Sequence, residues 1–281
     1  MPDCKTICVV VTNQGDDATT LAVAAGMALA EDAHLDVHCI GIDPIRYDSM
    51  TPVGGTIILE SGIAEAREQA DRLLRWATAA LPPELVKVAL QTIVAPQMGL
   101  ETTVARLARY ADLFIAAKPY GAGHSPLQAV ILEAALFGAG VPIIVVPDAG
   151  FEPSQPFSRI MIAWNDSDEA FSAVRKALPW LKAAQHVDVV MVDPDSHAPE
   201  RSDPGGALSL LLARHGIRPE VTILARSLPR VSQVLCRFVQ DQGVNAVVMG
   251  GYGHSRFREA ILGGATRDML EIAVVPLIIA H

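Results

Sequence analysis

The hydrophobic and polar positions of the chain alternate between two kinds of segment. Short apolar runs rich in β-branched residues, such as residues 5–12 (KTICVVVT), predict strands buried on both faces of a parallel sheet. Longer segments with apolar residues at helical spacing, such as residues 16–32, predict helices between those strands. In the first half the pattern predicts strands at 5–12, 35–43, 87–95, 111–119 and 141–147, and helices at 16–32, 63–80 and 99–110.

The same order of elements starts again near residue 158. Strands are predicted at 158–163, 186–193, 220–225, 244–250 and 274–280, and helices after Ser167 and at 206–215, 231–242 and 265–273. The clearest echo is YGAGHS, ending at Ser125, against GGYGHS, ending at Ser255. We expect two domains, residues 1–148 and 159–281, joined by a Pro- and Gly-containing linker at residues 149–158.

Alternating strands and helices predict an α/β fold. We expect two tandem flavodoxin-like or Rossmann-like domains, each a five-stranded, mostly parallel sheet with helices on both faces. In such sheets ligands bind beyond the carboxyl ends of the strands, where the strand order reverses. The loops that follow strands are therefore the segments to search for a site.

Composition excludes several classes of protein. A net charge of −9 and a pI near 5.3 disfavour nucleic-acid binding. The amino terminus has no secretory signal pattern, and no apolar stretch reaches the ~18 residues of a membrane-spanning helix. The four cysteines lack metal-ligand spacing, so no metal site is expected. The chain is predicted to be soluble and cytoplasmic, with no nucleic-acid or membrane partner.

Residues 250–266 (GGYGHSRFREAILGGAT) carry the chemistry of most interest. Gly250 and Gly253 follow a predicted strand, and Gly263 and Gly264 precede a predicted helix. Glycine lets a ligand approach the backbone closely, and a helix start offers unpaired N–H groups to an anion. The spacing differs from that of the Gly-Lys-Ser/Thr phosphate loop and from the dinucleotide fingerprint. A plain connection between strand and helix remains the alternative.

This stretch resembles the universal stress protein family, and the chain as a whole resembles its tandem members. Nucleotide-binding members carry Gly-x-x-Gly, nine residues, and then Gly-Ser/Thr after the fourth strand. Gly250, Gly253 and Gly263 match that pattern, whereas Gly264 occupies the Ser/Thr position. The resemblance implies that this loop holds the phosphates, with the Gly264 N–H and the Thr266 hydroxyl as candidate replacements for the missing hydroxyl.

The resemblance also implies where ribose and adenine would bind. Family members place an Asp just past the first strand and a backbone position near the end of the second. Here the corresponding positions are Ala163, Asn165 and Ser167 for the first, and Met191 for the second, with Met249 completing the implied nucleotide-binding set. The stretch after Ala163 also fits a plain helix cap.

The first copy departs from the family pattern. Its loop has Gly121 and Gly123 but no later Gly-Ser/Thr, and Ser125 to Pro142 is four residues shorter than Ser255 to Pro276. We expect a domain that does not bind nucleotide. We also expect the duplication to place two sheets face to face, as a single-chain version of the family's dimer.

The function implied by the resemblance is stress-related regulation through binding of an adenine nucleotide, ATP or AMP, by the carboxy-terminal domain. An enzyme is not expected beyond slow ATP hydrolysis, because no base, metal-binding carboxylate set or loop lysine is evident. The alternative is a nucleotide-free scaffold that acts through self-association or a protein partner. Arg256, Arg258 and Arg267 flank the loop, either as phosphate ligands or as surface residues.

Overall fold

The computed structural model of the protein describes residues 4–44, 55–155, 157–194, 205–252 and 264–281, and for residues 55–61 the backbone alone. The first half contains β1 (Thr6–Val11), α1 (Gln14–Glu31), β2 (His34–Asp43), α2 (Gly55–Ala80), β3 (Val88–Pro96), α3 (Leu100–Ala108), β4 (Leu113–Ala117), α4 (Pro126–Gly138) and β5 (Ile143–Val146). The second half contains β6 (Arg159–Ala163), α5 (Asp168–Ala183), β7 (His186–Val192), α6 (Gly206–Arg214), β8 (Pro219–Leu224), α7 (Val231–Gln242), β9 (Ala246–Gly250), α8 (Ala265–Ile272) and β10 (Leu277–Ala280).

The ten strands form one continuous sheet in the order β3-β2-β1-β4-β5-β10-β9-β6-β7-β8. Neighbouring strands are parallel except at the centre, where β5 and β10 pair antiparallel with Ile144 opposite Ile278. The predicted α/β fold with two five-stranded halves is confirmed. The expectation of two sheets packed face to face was wrong: they join edge to edge, because each half ends on an edge strand whose unpaired backbone groups the other satisfies.

Helices cover both faces of this sheet, as the continuous apolar strands predicted. One face packs against α1, α2, α5 and α6, and the other against α3, α4, α7 and α8. Each apolar layer draws on both halves of the chain; the first, for example, includes Val9, Ile144, Ile160 and Ile278. The core therefore continues across the junction of β5 and β10.

Two helices differ from the sequence-based prediction. Helix α4 was not predicted, although Ser125 caps it by accepting from the Leu127 N–H at 3.3 Å and Pro126 takes its first position. Its pattern was hard to recognise because the segment is apolar almost all round. Helix α2 begins at Gly55, earlier than the predicted Ile63. Of the helices the structure describes, none has the length and apolar character to cross a membrane.

Candidate functional site

The strand order of the second half reverses between β6 and β9. The chain runs from β6 outward to β7 and β8 and then returns to place β9 on the other side of β6. A cleft of about 150 Å³ opens at this point, beyond the carboxyl ends of the strands. It is lined by Ala163, Trp164, Asn165, Ser167, Glu169, Val190, Val192, Val231, Leu235, Met249, Gly250, Ala265 and Thr266. This is the position where open parallel sheets bind ligands.

The turn after β6 is built by local hydrogen bonds. Ser167 caps α5, because its hydroxyl accepts from the Ala170 N–H at 3.2 Å. Asn165 accepts from the Ser167 N–H at 3.3 Å, and Asp166 between them adopts a left-handed conformation with φ of 58°. The predicted cap is thus present. An amide oxygen has two lone pairs, so Asn165 retains capacity to accept a bond from a ligand hydroxyl.

Gly250 ends β9 where α5 crosses it closely. A Cβ on Gly250 would lie 2.6 Å from the backbone N of Ala170 and 2.8 Å from the backbone C of Glu169. Its φ is not positive, so the requirement for glycine comes from this approach of two backbones. Packing of β9 against α5 accounts for this glycine without any ligand.

Thr266 connects the two described ends of the loop after β9. Its hydroxyl donates to the Gly250 carbonyl at 3.2 Å and accepts from the Tyr252 N–H at 3.3 Å. Because a hydroxyl has one proton, that proton is already used within the protein. Thr266 therefore closes the loop, whereas the family resemblance suggested a phosphate donor.

Three helices begin at this cleft. The cleft is lined by the cap (Ser167) and the first turn (Glu169) of α5, and by the first turns of α7 (Val231) and α8 (Ala265 and Thr266). Gly264 takes the cap position of α8 in extended conformation and has no side chain to satisfy the first N–H groups. Unpaired N–H groups and the positive ends of helix dipoles favour an anion here. The negative charge of Glu169, which also lines the cleft, opposes the binding of an anion.

The structure brings together most of the predicted binding residues that it describes. Ala163, Asn165, Met249, Gly250 and Thr266 line one cleft, and Gly264 immediately precedes its wall at Ala265. Met191 is not part of that lining. Its side chain is buried on the opposite face of the sheet, where its Cε would lie 3.2 Å from a Cβ on Gly205. Gly253 and Gly263 lie outside the described residues.

Sequence reasoning missed the apolar walls of the cleft. They come from Trp164, from Val190 and Val192 on β7, and from Val231 and Leu235 on α7. The signal was available for β7: successive strand residues point to opposite faces, so Val190 and Val192 share a face that Met191 cannot. The contribution of α7 depends on tertiary packing.

A second, larger cleft of about 410 Å³ lies on the other side of the β6–α5 turn. It shares Trp164 and Ser167 with the first cleft and is otherwise formed by Asp166 of the turn and by residues of α5 and α6, including Leu208 and Arg214. The two clefts therefore flank a single turn.

At the equivalent crevice of the first half, between β1 and β4, side chains of α1 and α4 bond to each other and to the backbone that follows β1. Asp17 on α1 accepts from the backbone N–H groups of Thr12 at 2.7 Å and Asn13 at 2.9 Å. Its second oxygen accepts from Nε2 of Gln128, on α4, at 2.8 Å. Asp17 and Gln128 are almost fully buried, and burial raises the pKa of the Asp17 carboxyl against the lowering effect of these hydrogen bonds.

The recurring His-Ser pair of the first half and the candidate Arg267 of the second have structural partners. Ser125 caps α4, and His124 lies 3.1 Å from Asp148, which also pairs with Lys118. The guanidinium of Arg267 lies 4.9 Å from the centroid of the Tyr120 ring. His254, Ser255, Arg256 and Arg258 lie outside the described residues. Within the part of the chain that the structure describes, no group of three or more His, Cys, Asp or Glu side chains is arranged to hold a metal ion.

Comparison with known proteins identifies relatives. Residues 156–281 match the universal stress protein family. A universal stress protein of Synechocystis sp. is 22% identical over 142 residues, which are 49% of this chain and 46% of that protein. The chain thus spans about half the length of this curated relative.

Solved structures match the whole chain. A universal stress protein from Archaeoglobus fulgidus has a TM-score of 0.66 at 14% identity, with 99% of this chain and 96% of that one covered. A functionally unknown protein from Pseudomonas aeruginosa PAO1 has a TM-score of 0.57 at 15% identity, covering 99% and 92%. Residues 156–281 thus resemble the universal stress protein family, and over its whole length the chain has the fold of these solved structures.

Proposed function

We propose that the second half of this chain binds an adenine nucleotide, ATP or AMP, in the cleft between β6 and β9, and that the protein serves stress-related regulation through this binding. The observation that carries the proposal is the convergence of three helix starts on one cleft at the reversal of strand order. Backbone N–H groups at helix starts bind phosphate without any charged side chain. That matters because the cleft is lined by Glu169 and by no Lys or Arg among the described residues.

The walls of the cleft suit the rest of a nucleotide. Val190, Val192, Leu235 and Met249 offer apolar surface to a base, and Asn165 offers an amide to a ribose hydroxyl. At about 150 Å³ the cleft is smaller than the roughly 300 Å³ at which small-molecule pockets usually begin. It accommodates part of a nucleotide as it stands, and binding of a whole one requires the walls to move apart.

We further propose that the first half, assigned to residues 1–148, does not bind nucleotide. The hydrogen bond between Asp17 and Gln128 spans the crevice that a ligand would need. This difference between the two halves agrees with the glycine pattern of the family, which is present after β9 and absent after β4.

A nucleotide-free scaffold is the second candidate, and one observation favours it. The Thr266 hydroxyl is engaged by Gly250 and Tyr252, and Gly264 supplies none, so no described hydroxyl at the start of α8 is available to phosphate. If phosphate binding requires such a hydroxyl, the second half does not bind nucleotide, and the protein acts through a partner or through self-association.

Calorimetric titration of the full chain with ATP and AMP tests the proposal, together with Ala163→Leu. Ala163 lines the cleft at the end of β6, so a leucine there fills a large part of about 150 Å³. We expect nucleotide binding by the natural protein and at least about tenfold weaker binding by Ala163→Leu, which corresponds to about 1.4 kcal/mol.

Ala183→Leu is the matched control, because Ala183 is exposed at the far end of α5. It should bind nucleotide as the natural protein does. Absence of heat at millimolar ATP and AMP, with no adenine nucleotide released on denaturing the purified protein, would refute the proposed binding and favour the scaffold.

A further inference from the structure

One side chain of the first half contacts both described ends of the loop after β9. The hydroxyl of Tyr120, in the connection after β4, lies 2.9 Å from the hydroxyl of Tyr252 at the loop entrance. The ring of Tyr120 lies under the guanidinium of Arg267 at the loop exit, 4.9 Å from its Cζ. These are a hydrogen bond and a cation–π contact between the two halves.

The last turn of α4 packs along the same loop entrance. The ring of Phe137 lies 5.7 Å from that of Tyr252 and meets the ring of His281 edge-on at 4.9 Å. His281 Nδ1 lies 3.0 Å from the Gly251 carbonyl, and a Cβ on Gly251 would lie 2.7 Å from Leu136 Cδ2. Helix α4 of the first half thus packs against the start of the loop that follows β9 in the second half.

Tyr252 is held in an unfavourable backbone conformation. Its φ of 51° is left-handed, a conformation that is unfavourable for a residue with a Cβ. The contacts to Tyr120, Phe137 and Thr266 offset this cost. Without these contacts, we expect Tyr252 to relax to another backbone conformation.

The path from Tyr120 to the cleft is short. Tyr252 donates its N–H to Thr266, and Thr266 donates its hydroxyl to Gly250. Thr266 and Gly250 line the cleft, and Arg267 is adjacent to Thr266 on α8. A shift of Tyr252 or Arg267 therefore moves residues that form the cleft wall.

We propose that Tyr120 is a positioning residue for the cleft, through which the first half of the chain sets the conformation of the two described ends of the loop after β9, at Tyr252 and at residues 265–267, and thereby the affinity of the cleft for nucleotide. The affinity part of this inference rests on the proposed function; the conformational part does not. Because coupling is reciprocal, a nucleotide that favours this loop conformation also tightens the contact between the halves.

Tyr120→Leu, Tyr120→Phe and the control Tyr110→Leu test the proposal in the full chain, since Tyr110 is 80% exposed. In the absence of nucleotide, Tyr120→Leu should accelerate amide hydrogen exchange at residues 250–252 and 265–267 at least about fivefold. ATP binding should weaken about threefold to tenfold, as expected for loss of one hydrogen bond and a cation–π contact. Tyr120→Phe keeps the ring under Arg267 and should restore part of both losses, whereas Tyr110→Leu should change neither.

Unchanged exchange at these amides in Tyr120→Leu and Tyr120→Phe would overturn the proposal, whether or not the protein binds nucleotide. Faster exchange with unchanged ATP affinity would overturn the proposal that Tyr120 influences the affinity of the cleft for nucleotide. No ATP binding by the natural protein would refute the proposed function and the affinity part with it, while exchange would still decide the positioning role. Tyr120→Phe removes a single oxygen atom, so it keeps the test decisive if Tyr120→Leu fails to fold.

Discussion

At the scale of single residues, Gly250 and Gly251 are adjacent glycines with different reasons to be glycine. A Cβ on Gly250 meets the backbone of α5, which cannot yield without moving the helix. A Cβ on Gly251 meets the end of the Leu136 side chain, which has other rotamers. The family pattern assigns Gly250 to phosphate, but packing of β9 against α5 requires a glycine there in any case.

We expect Gly250→Ala to lower the free energy of unfolding by about 1–3 kcal/mol, the usual cost of overpacking. Gly251→Ala should cost less, because a methyl group of Leu136 can move aside. Urea denaturation of both variants measures the difference. Equal destabilisation by the two substitutions would show that the backbone of α5 moves aside as easily as the Leu136 side chain.

At the scale of elements, α4 distinguishes the two halves. It begins at Pro126, soon after β4 ends at Ala117, whereas α8 begins at Ala265, well after β9 ends at Gly250. The earlier helix start places Gln128 against Asp17 in the crevice of the first half. The start of α4 thus puts a hydrogen-bonded pair of buried side chains at the crevice of the first half.

The buried Asp17 makes the stability of the folded protein depend on pH. Burial raises the pKa of Asp17 in the folded protein, so folding favours the protonated carboxyl. Its contribution to stability is fully present below the ordinary pKa of about 3.9 and is lost as the pH rises through the raised pKa. Asp17→Asn removes this loss and keeps the hydrogen bonds if the Gln128 amide turns over.

We therefore expect the stability of Asp17→Asn, relative to the natural protein, to increase as the pH rises from about 4. Urea denaturation between pH 4 and pH 8 measures the trend. Asp16→Asn removes the same charge from the preceding, partly exposed position of α1 and controls for the charge at the helix start. A relative stability of Asp17→Asn that falls with rising pH would contradict the expected burial effect.

At the scale of the whole molecule, the antiparallel pairing of β5 and β10 turns two sheets into one. Both apolar layers then contain residues of both halves, and Ile144 and Ile278, which face each other, are almost completely buried. Exposing this junction would uncover apolar surface and the backbone groups of two edge strands. The halves should therefore unfold together.

Differential scanning calorimetry should show one transition for the full chain. Ile278→Ala should destabilise the protein by about 2–5 kcal/mol, the range for large-to-small core substitutions, and should speed hydrogen exchange in both halves. Val274→Ala, at a position 63% exposed just before β10, should do neither. Two separate transitions would show that each half is stable alone.

The strands and most helices were predictable because each buried strand is a continuous apolar run, and most helices carry the helical period. Helix α4 has apolar residues on nearly every side and was missed for that reason. Ala163, Asn165, Met249 and Gly250 end or follow strands of one repeat, and Thr266 begins the next helix, so together with the family resemblance their positions were predictable as neighbours. Val231 and Leu235 were not, because the packing of α7 beside β9 has no local signature.

The sequence by itself determined the alternation of elements, the duplication and the glycine pattern after β9, since each is a property of nearest neighbours along the chain. Only the tertiary structure decided that the sheets join edge to edge, that Gln128 bonds to Asp17 at one crevice and that Tyr120 contacts Tyr252 and Arg267 near the other. These depend on contacts between residues more than a hundred positions apart, such as Asp17 with Gln128 and Tyr120 with Tyr252. No local pattern fixes such distances, because they follow from how two whole halves pack together.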